Sequence, residues 1–401
     1  AHYRDQAHRE QIFIAFIVFD ETPRAGEVAQ RWAKAAPGSG FAHVAVGSHY
    51  DKAGWMARGG GFASQTSDRQ FESMAGYFAE AIPAYKRAMK IEPRLSVACY
   101  GLSAIGRQVD DALQKAASSH CRKVDPDSYY VALDHITAAM PKWGGSEKEL
   151  RDAVAYAAAR TKRNPILGAL LGDEVSYRPL AAPVLLVTRE VSEELGIAVR
   201  LGVNGATFAR AAYAATEAGD YWTAFALHSQ SIRFWPDDPD RRFSRAWALA
   251  DTFHDYAWAR SDMEVVMKDG SDDPGHNFLM GSILEAVETP ASARPYFRRA
   301  MEEPWRWGAM ERYCQTFVTP VVMEEADACI RELLAEYPDS VLALFLRAKV
   351  LASRDAVAAL AEVEEFRRRA NPIVHERALA ESMPLEAMLK AQLPAAKRPM
   401  P

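Results

Sequence analysis

Residues 219–236, GDYWTAFALHSQSIRFWP, constrain what this chain can fold into more than any other stretch. Small Ala224 is followed four residues later by His228, three later by Ser231 and five later by Pro236. On a helix these three side chains share one face, because positions three and four apart are neighbours. Small residues at the first and third places let a second helix approach closely. The side chain between them fills the gap to the next pair of helices, and the proline ends the helix. The stretch therefore reads as the second half of a helical hairpin.

The same order of small, bulky, small and terminator recurs. It appears at Ala293, Phe297 and Ala300 before Pro304, and at Ala326, Ile330 and Leu333 before Pro338. Weaker copies start at Ala257, ending near Asp269, and at Ala359, with Val363, Phe366 and a stop at Asn371 and Pro372. The starts differ by 33, 36, 33 and 33 residues, close to the period of about 34 of tetratricopeptide repeats. Each two-helix unit has too little apolar surface to fold alone and buries its face against its neighbour. The fold expected is all-α, a tetratricopeptide-like α-solenoid in which hairpins stack as a right-handed superhelix. An Ala-to-large change at Ala224, Ala293 or Ala326 overpacks a helix crossing at a cost of about 1–3 kcal/mol.

The first half carries the register less evenly. Ala81, Tyr85, Ala88 and Pro93 form a good copy, provided Pro83 sits in a first turn or kinks its helix. Degenerate copies follow at Gln114, Ser118, Cys121 and Pro126, and at Ala153, Ala157, Arg160 and Pro165, with the loop PKWGGS (residues 141–146) taking up extra length. Backwards from Ala81 the register returns only at Ala25, Ala29, Trp32 and Pro37, so an insertion including glycines 59–61 lies between. Over residues 166–205 the pattern is lost, and PVLLVTREV within it reads as a helix or a short strand. The domain reading is an irregular helical-repeat half over residues 1–180, a joint at 181–204, a regular array at 205–375, and a cap and tail at 376–401.

The chain has 401 residues, 49% hydrophobic and 25% charged, with a formal charge of −5. That balance lacks the basic footprint that phosphate neutralisation needs, which argues against a nucleic-acid partner. The most apolar run, IFIAFIVF at residues 12–19, is eight residues long against the roughly 20 a membrane span requires. It reads as a buried helix, with a strand as the lesser alternative. Asp20 and Glu21 follow at once and no small-x-small cleavage site appears, so a secretory signal is not expected. The four cysteines, Cys99, Cys121, Cys314 and Cys329, form no CxxC pair and no zinc-site spacing. Four buried thiols in a reducing compartment are the expectation, with a Cys314–Cys329 bridge as the alternative if the protein is exported. The location expected is cytoplasmic, or periplasmic if a leader preceded Ala1.

Three pieces of the first half share a family likeness. They are PGSGFAHVAVGSHYDKAGWMARGGGFAS (residues 37–64), the AxxxYxxA segment after it, and PKWGGS. Together they resemble a bacterial family known as a domain of unknown function, DUF4034, over roughly residues 10–290. Its most specific pieces here are Trp55, Arg58 and Gly59, and Trp143, Gly144, Gly145 and Ser146. The resemblance implies a bacterial origin and a helical-repeat fold, and it transfers no catalytic residue.

Candidate sites are few. Trp55 and Arg58 lie one helical turn apart, so indole and guanidinium can form a cation–π pair or the wall of a pocket for an acidic group; Arg58 can equally hydrogen-bond helix-end carbonyls beside the glycines. Glycines 59–61 have no Lys-Ser/Thr after them, which argues against a phosphate loop. Gly144 and Gly145 stop a helix, and Ser146 with Glu149 forms a capping box, leaving Trp143 as the residue that local structure does not explain. Trp143 is read as a plug between hairpins, with ligand stacking as the alternative. Asp237 to Asp240 lack the alternate spacing of a calcium loop and read as helix caps. No metal or cofactor is expected. The ten histidines include no HExxH, and GxSxG does not occur.

In this repeat class the first helices line a concave face. The register places Tyr213, Ser282, Glu285, Glu311 and Gln315 there, a lining suited to a polar or basic peptide. The function expected is non-catalytic recognition of a protein or peptide partner, as a bacterial adaptor or a toxin-neutralising immunity protein. The rival is an enzyme, such as a hydrolase, with a pocket near Trp55, Arg58 and Trp143.

Overall fold

The computed structural model describes residues 10–60, 63–183, 185–268, 270–319 and 323–393. Gly61 and Asp269, which figured in the sequence reading, lie outside the described residues, as do residues 394–401 of the tail. Among the described residues every regular element is helical. The chain divides into two compact units, residues 1–218 and 219–401.

The first unit contains α1 (Gln11–Ala15), α2 (Pro23–Ala35), α3 (Gly40–Arg58), α4 (Asp68–Ile91), α5 (Ser96–Val109) and α6 (Asp111–Val124), then α7 (Tyr129–Ala139), α8 (Glu147–Ala158), α9 (Asp173–Ala181), α10 (Arg189–Leu201) and α11 (Gly205–Glu217). Side-chain caps set most of the starts. Ser39, Ser67, Asp110, Ser128, Ser146 and Asn204 each accept a backbone N–H in the first turn of the helix that follows. The pairs α3/α4, α5/α6, α7/α8 and α9/α10 pack as successive hairpins.

The packing turns on the second helices. Ala81, Tyr85 and Ala88 of α4 are buried, as are Gln114, Ser118 and Cys121 of α6 and Ala153 and Ala157 of α8. Tyr85 passes between α3 and α5 at two glycines. A Cβ on Gly47 would lie 2.7 Å from the ring and one on Gly101 2.4 Å from it, so only glycine admits the tyrosine on both sides. Its hydroxyl then reaches Asp51 of α3 at 3.5 Å.

The second unit contains α12 (Tyr221–Ile232), α13 (Pro239–Asp251), α14 (Tyr256–Val266), α15 (Pro274–Val287) and α16 (Pro290–Arg299), then α17 (Arg306–Gln315), α18 (Met323–Glu336), α19 (Val341–Leu351), α20 (Ala356–Arg369) and α21 (Glu376–Gln392). Ala224, Ala293, Ala326 and Ala359 are fully buried at the crossings of α12, α16, α18 and α20. Phe297 and Phe366 are buried at the gap-filling and third positions of their copies. The chain is an all-α protein of tetratricopeptide-like hairpins.

Several sequence expectations change. The copy placed at Ala257 is carried by Ala259, Met263 and Val266, all buried, whereas Ala257 is exposed in the first turn of α14. Two residues of helix are a rotation of about 200°, so the shift exchanges the solvent face for the packed one. The steps become 35, 34, 33 and 33. Within residues 166–205, α10 restores the register through buried Val191, Leu195 and Ala198. Pro83 lies in mid-helix, where α4 runs through it. Trp32 is exposed rather than packed at a crossing. Residues 12–19 form a short helix and a 3₁₀ turn in which Phe13 and Phe16 are buried while Ile14, Ile17 and Val18 are 54%, 56% and 68% exposed.

The free-thiol expectation is overturned. Cys99 is bonded to Cys121 and Cys314 to Cys329. Each bond joins the two helices of one hairpin, α5 to α6 and α17 to α18. The sequence hid the first pair because Cys99 and Cys121, 22 residues apart, face each other only once α5 and α6 cross.

Candidate functional site

One concavity of the second unit is lined mainly by first helices of successive hairpins. Gly281 of α15 gives way to the buried Phe297 ring, which a Cβ would approach to 2.9 Å, so α15 seats closely on α16. Ser282 and Glu285, about one turn apart on α15, flank that crossing at roughly 100° and 40° around the helix from Gly281. They line a cavity of about 630 Å³ with Trp247 of α13, Phe278 of α15, Arg312 of α17 and Arg377 of α21. Trp247 and Phe278 stack at 6.4 Å, and both pack against Trp305 at 5.3 and 5.1 Å. Glu285 accepts a hydrogen bond from Arg312 at 2.6 Å. Arg312 and Arg377 also line a smaller pocket of about 120 Å³, with Gln315, Phe345, Lys349 and Glu381. The groove thus has an aromatic wall and a run of alternating charges.

The other sequence candidates fall elsewhere. Glu311 accepts from the Ser340 hydroxyl at 2.6 Å, beside the start of α19, and burial raises its carboxyl above the usual range. Tyr213 lies on α11 in the first unit, with the Arg210 guanidinium 5.8 Å from its ring. The Arg58 guanidinium stands 5.9 Å from the Trp55 ring and 5.8 Å from Phe71, and also donates to the Gly59 carbonyl at 3.2 Å. The ring contact and the carbonyl hydrogen bond of Arg58 therefore coexist. Trp55 packs edge-on against Phe78.

Trp143 lines a separate cavity of about 690 Å³ with Arg107, Gln114, Arg122, His135 and Asp152, and neither Trp55 nor Arg58 contributes to it. Gly144 there has φ +87°, and a Cβ on Gly145 would meet the Ala139 carbonyl at 2.1 Å, which explains both glycines. The Ser146 hydroxyl accepts from Glu149 N–H and donates to its carboxylate. His135 is pushed down to about 4, first by burial and then by the charges of Arg122 and Arg160, so it is neutral at pH 7. Asp51 is raised to about 7, chiefly by burial, against the hydrogen bonds of Tyr85 and Trp55.

The acidic cluster after Trp235 does what its spacing suggested, since Asp238 caps α13 through the Arg241 N–H at 3.2 Å. Among the described residues no three His, Cys, Asp or Glu side chains gather to hold a metal. The sequence reading missed Trp247, Arg312 and Arg377. Arg312 adjoins Glu311, so a one-residue shift of the register would have found it. Arg377 sits on α21, outside the repeat pattern, and carried no signal.

Residues 14–112 match the model of a family described as Domain of unknown function (DUF4034). Over those residues the chain is DUF4034-like. The DUF4034 match takes in Trp55, Arg58 and the Tyr85 crossing, and ends before Trp143 and before the groove of the second unit. No curated protein sequence matches the chain. Among solved structures it is similar to YrrB, a TPR protein with an unusual peptide-binding site, at 16% identity and a TM-score of 0.38, covering 47% of this chain and 98% of that one. It is similar to a tetratricopeptide repeat protein from Parabacteroides merdae at 16% identity and a TM-score of 0.37, covering 63% and 99%. It is also similar to yeast Tom70 at 9% identity and a TM-score of 0.36, covering 96% of each chain. No described helix is long and apolar enough to cross a membrane.

Proposed function

We propose that this protein is a non-catalytic helical-repeat protein that binds an extended segment of a protein partner in the groove of its second unit. The observation that carries the reading is the 630 Å³ cavity floored by α13, α15 and α17, where Trp247 and Phe278 offer an apolar seat beside Ser282 and the Glu285–Arg312 pair. A peptide suits such a site because its side chain can cover the rings while its polar backbone meets Ser282 and the exposed charges. The partner segment is polar or basic with one large apolar side chain.

In a bacterial setting the finer reading is an adaptor or a toxin-neutralising immunity protein. The two separate by whether the captured partner kills a host that lacks this chain. Two disulfides are better suited to an oxidising compartment than to the cytosol, so the periplasm is the proposed location. The test is a photo-crosslinking amino acid placed at Ser282 and, as control, at exposed Arg331 on α18. Crosslinks to one defined partner segment from position 282 and not from 331 support the proposal; equal yields from both positions would overturn it.

A further inference from the structure

The first unit holds an occupant of its own. Residues 10–20 lie across α3, α5 and α7, the first helices of three successive hairpins, which is the face equivalent to the groove of the second unit. Glu10 meets the start of α7, where its carboxylate accepts from the Tyr129 N–H at 2.6 Å, the Ser128 hydroxyl at 3.0 Å and the Asn164 amide at 3.1 Å. A carboxylate at a helix N-terminus is favoured by the free N–H groups and the helix dipole. One turn on, the Phe13 ring stacks on Tyr130 at 4.5 Å and meets Tyr100 edge-on at 5.4 Å. Phe16 is buried, and two side chains of α3 then hold the backbone. Lys52 donates to the Ile17 carbonyl at 2.7 Å, and the His49 ring bonds the Asp20 carbonyl at 2.6 Å.

The contacts are those of a bound peptide. One carboxylate is read by an N-terminus, one aromatic ring is clasped by two tyrosines, and two main-chain carbonyls are read by side chains of another helix. The segment itself is two short turns, too short to be a stable helix alone. Its far side, Ile14, Ile17 and Val18, faces solvent. A core helix of this fold would be covered on that side by the next hairpin.

We propose that the α3/α5/α7 face is a peptide-binding groove occupied in cis by residues 10–20, and that a partner carrying Glu-x-x-Phe-x-x-Phe displaces this segment. The partner class is an acidic-then-aromatic amphipathic peptide, read by Ser128 and Asn164 at its carboxylate and by Tyr100 and Tyr130 at its first ring. This proposal concerns a different unit from the groove of the preceding section and stands without it.

The test uses the full chain with a specific protease site inserted between Glu21 and Thr22. After cutting, a fluorescein-labelled peptide of residues 10–21 with a solubilising tail is added and its anisotropy followed. The expected result is saturable binding to the cut protein, none to the uncut protein, and at least tenfold weaker competition by unlabelled peptides carrying Glu10→Ala or Phe13→Ala. Retention of the native segment with no exchange over a day would overturn the proposal. Equal competition by the variant peptides would overturn it too, as would loss of the helical circular-dichroism signal on cutting, because a ligand is dispensable for the fold. Uncut full-length protein carrying Phe13→Ala provides the second arm and is expected to bind the labelled peptide in trans; folded variant protein that binds none would count against the groove.

Discussion

Replacing Gly101 by alanine probes how the first unit is held together. The added Cβ would lie 2.4 Å from Tyr85 Cζ and 2.7 Å from its hydroxyl oxygen. Tyr85 cannot retreat, because Gly47 of α3 stands on its other side with a Cβ position 2.7 Å from the ring. Either the ring leaves its rotamer or α5 moves off α4, and overpacking of this kind costs about 1–3 kcal/mol. Against it, alanine is a better helix former than glycine by roughly 0.8–1 kcal/mol. Gly76→Ala at an exposed position of α4 isolates that gain, since nothing lies within 4 Å of its added carbon. The difference between the two variants is therefore the packing term alone. Hydrogen exchange read on peptides from α4 and α5 measures it locally, which avoids assuming that both units unfold together. Relative to Gly76→Ala, Gly101→Ala is expected to speed exchange in α5 roughly five- to hundredfold. Adding Tyr85→Leu should recover part of the loss. Equal protection in the two glycine variants would refute the account of the Tyr85 crossing.

Other consequences can be measured on the same protein. Asp51 keeps a proton up to about pH 7 in the folded chain, whereas the unfolded chain loses it near the ordinary value of 3.8. Its contribution to stability is therefore present at low pH and falls as pH rises from about 4 to about 7. Asp51→Asn should raise the stability relative to the parent increasingly over that window, by about 1–4 kcal/mol at pH 8; parallel pH curves would contradict this. Asp262 is fully buried between Arg242 and Arg245 at 2.7 Å, so Asp262→Ala strands both cations and should cost about 3–5 kcal/mol in thermal or chemical denaturation. Protein purified without reductant should be lighter than the reduced chain by four hydrogen atoms. Reducing the loops of 22 and 15 residues should lower stability by about 3 kcal/mol for each bond, whereas four reactive thiols in the folded protein would argue against the pairing.

The hairpin repeat was legible because its signal is local and periodic. Ala224, Ala293, Ala326 and Ala359 are small because helices cross at them, and that requirement writes itself into the chain every 33 to 35 residues. Ala257 misled because alanines two apart look alike in sequence and differ by half a turn in space. Val191, Leu195 and Ala198 were missed because a large residue stands at the place where small ones were sought, so spacing was a better guide than residue size.

The groove was legible in part. Ser282, Glu285 and Gln315 followed from the register, whereas Arg377 arrives from a helix with no repeat signature. Neither the Cys99–Cys121 bond nor the docking of residues 10–20 has a local signal, since both depend on which helix faces meet. The apolar run reads as core throughout, whereas Phe13 and Phe16 are buried and Ile14, Ile17 and Val18 are exposed, a split that no local signal marks.

Peptide recognition through the second-unit groove is tested most directly by affinity purification from the native host with the parent chain and a Ser282→Trp variant that fills the cavity. The expected result is a stoichiometric partner with the parent, lost with the variant while the variant's circular dichroism and melting temperature stay unchanged. Recovery of no stoichiometric partner with the parent, or undiminished capture by the variant, would contradict the account.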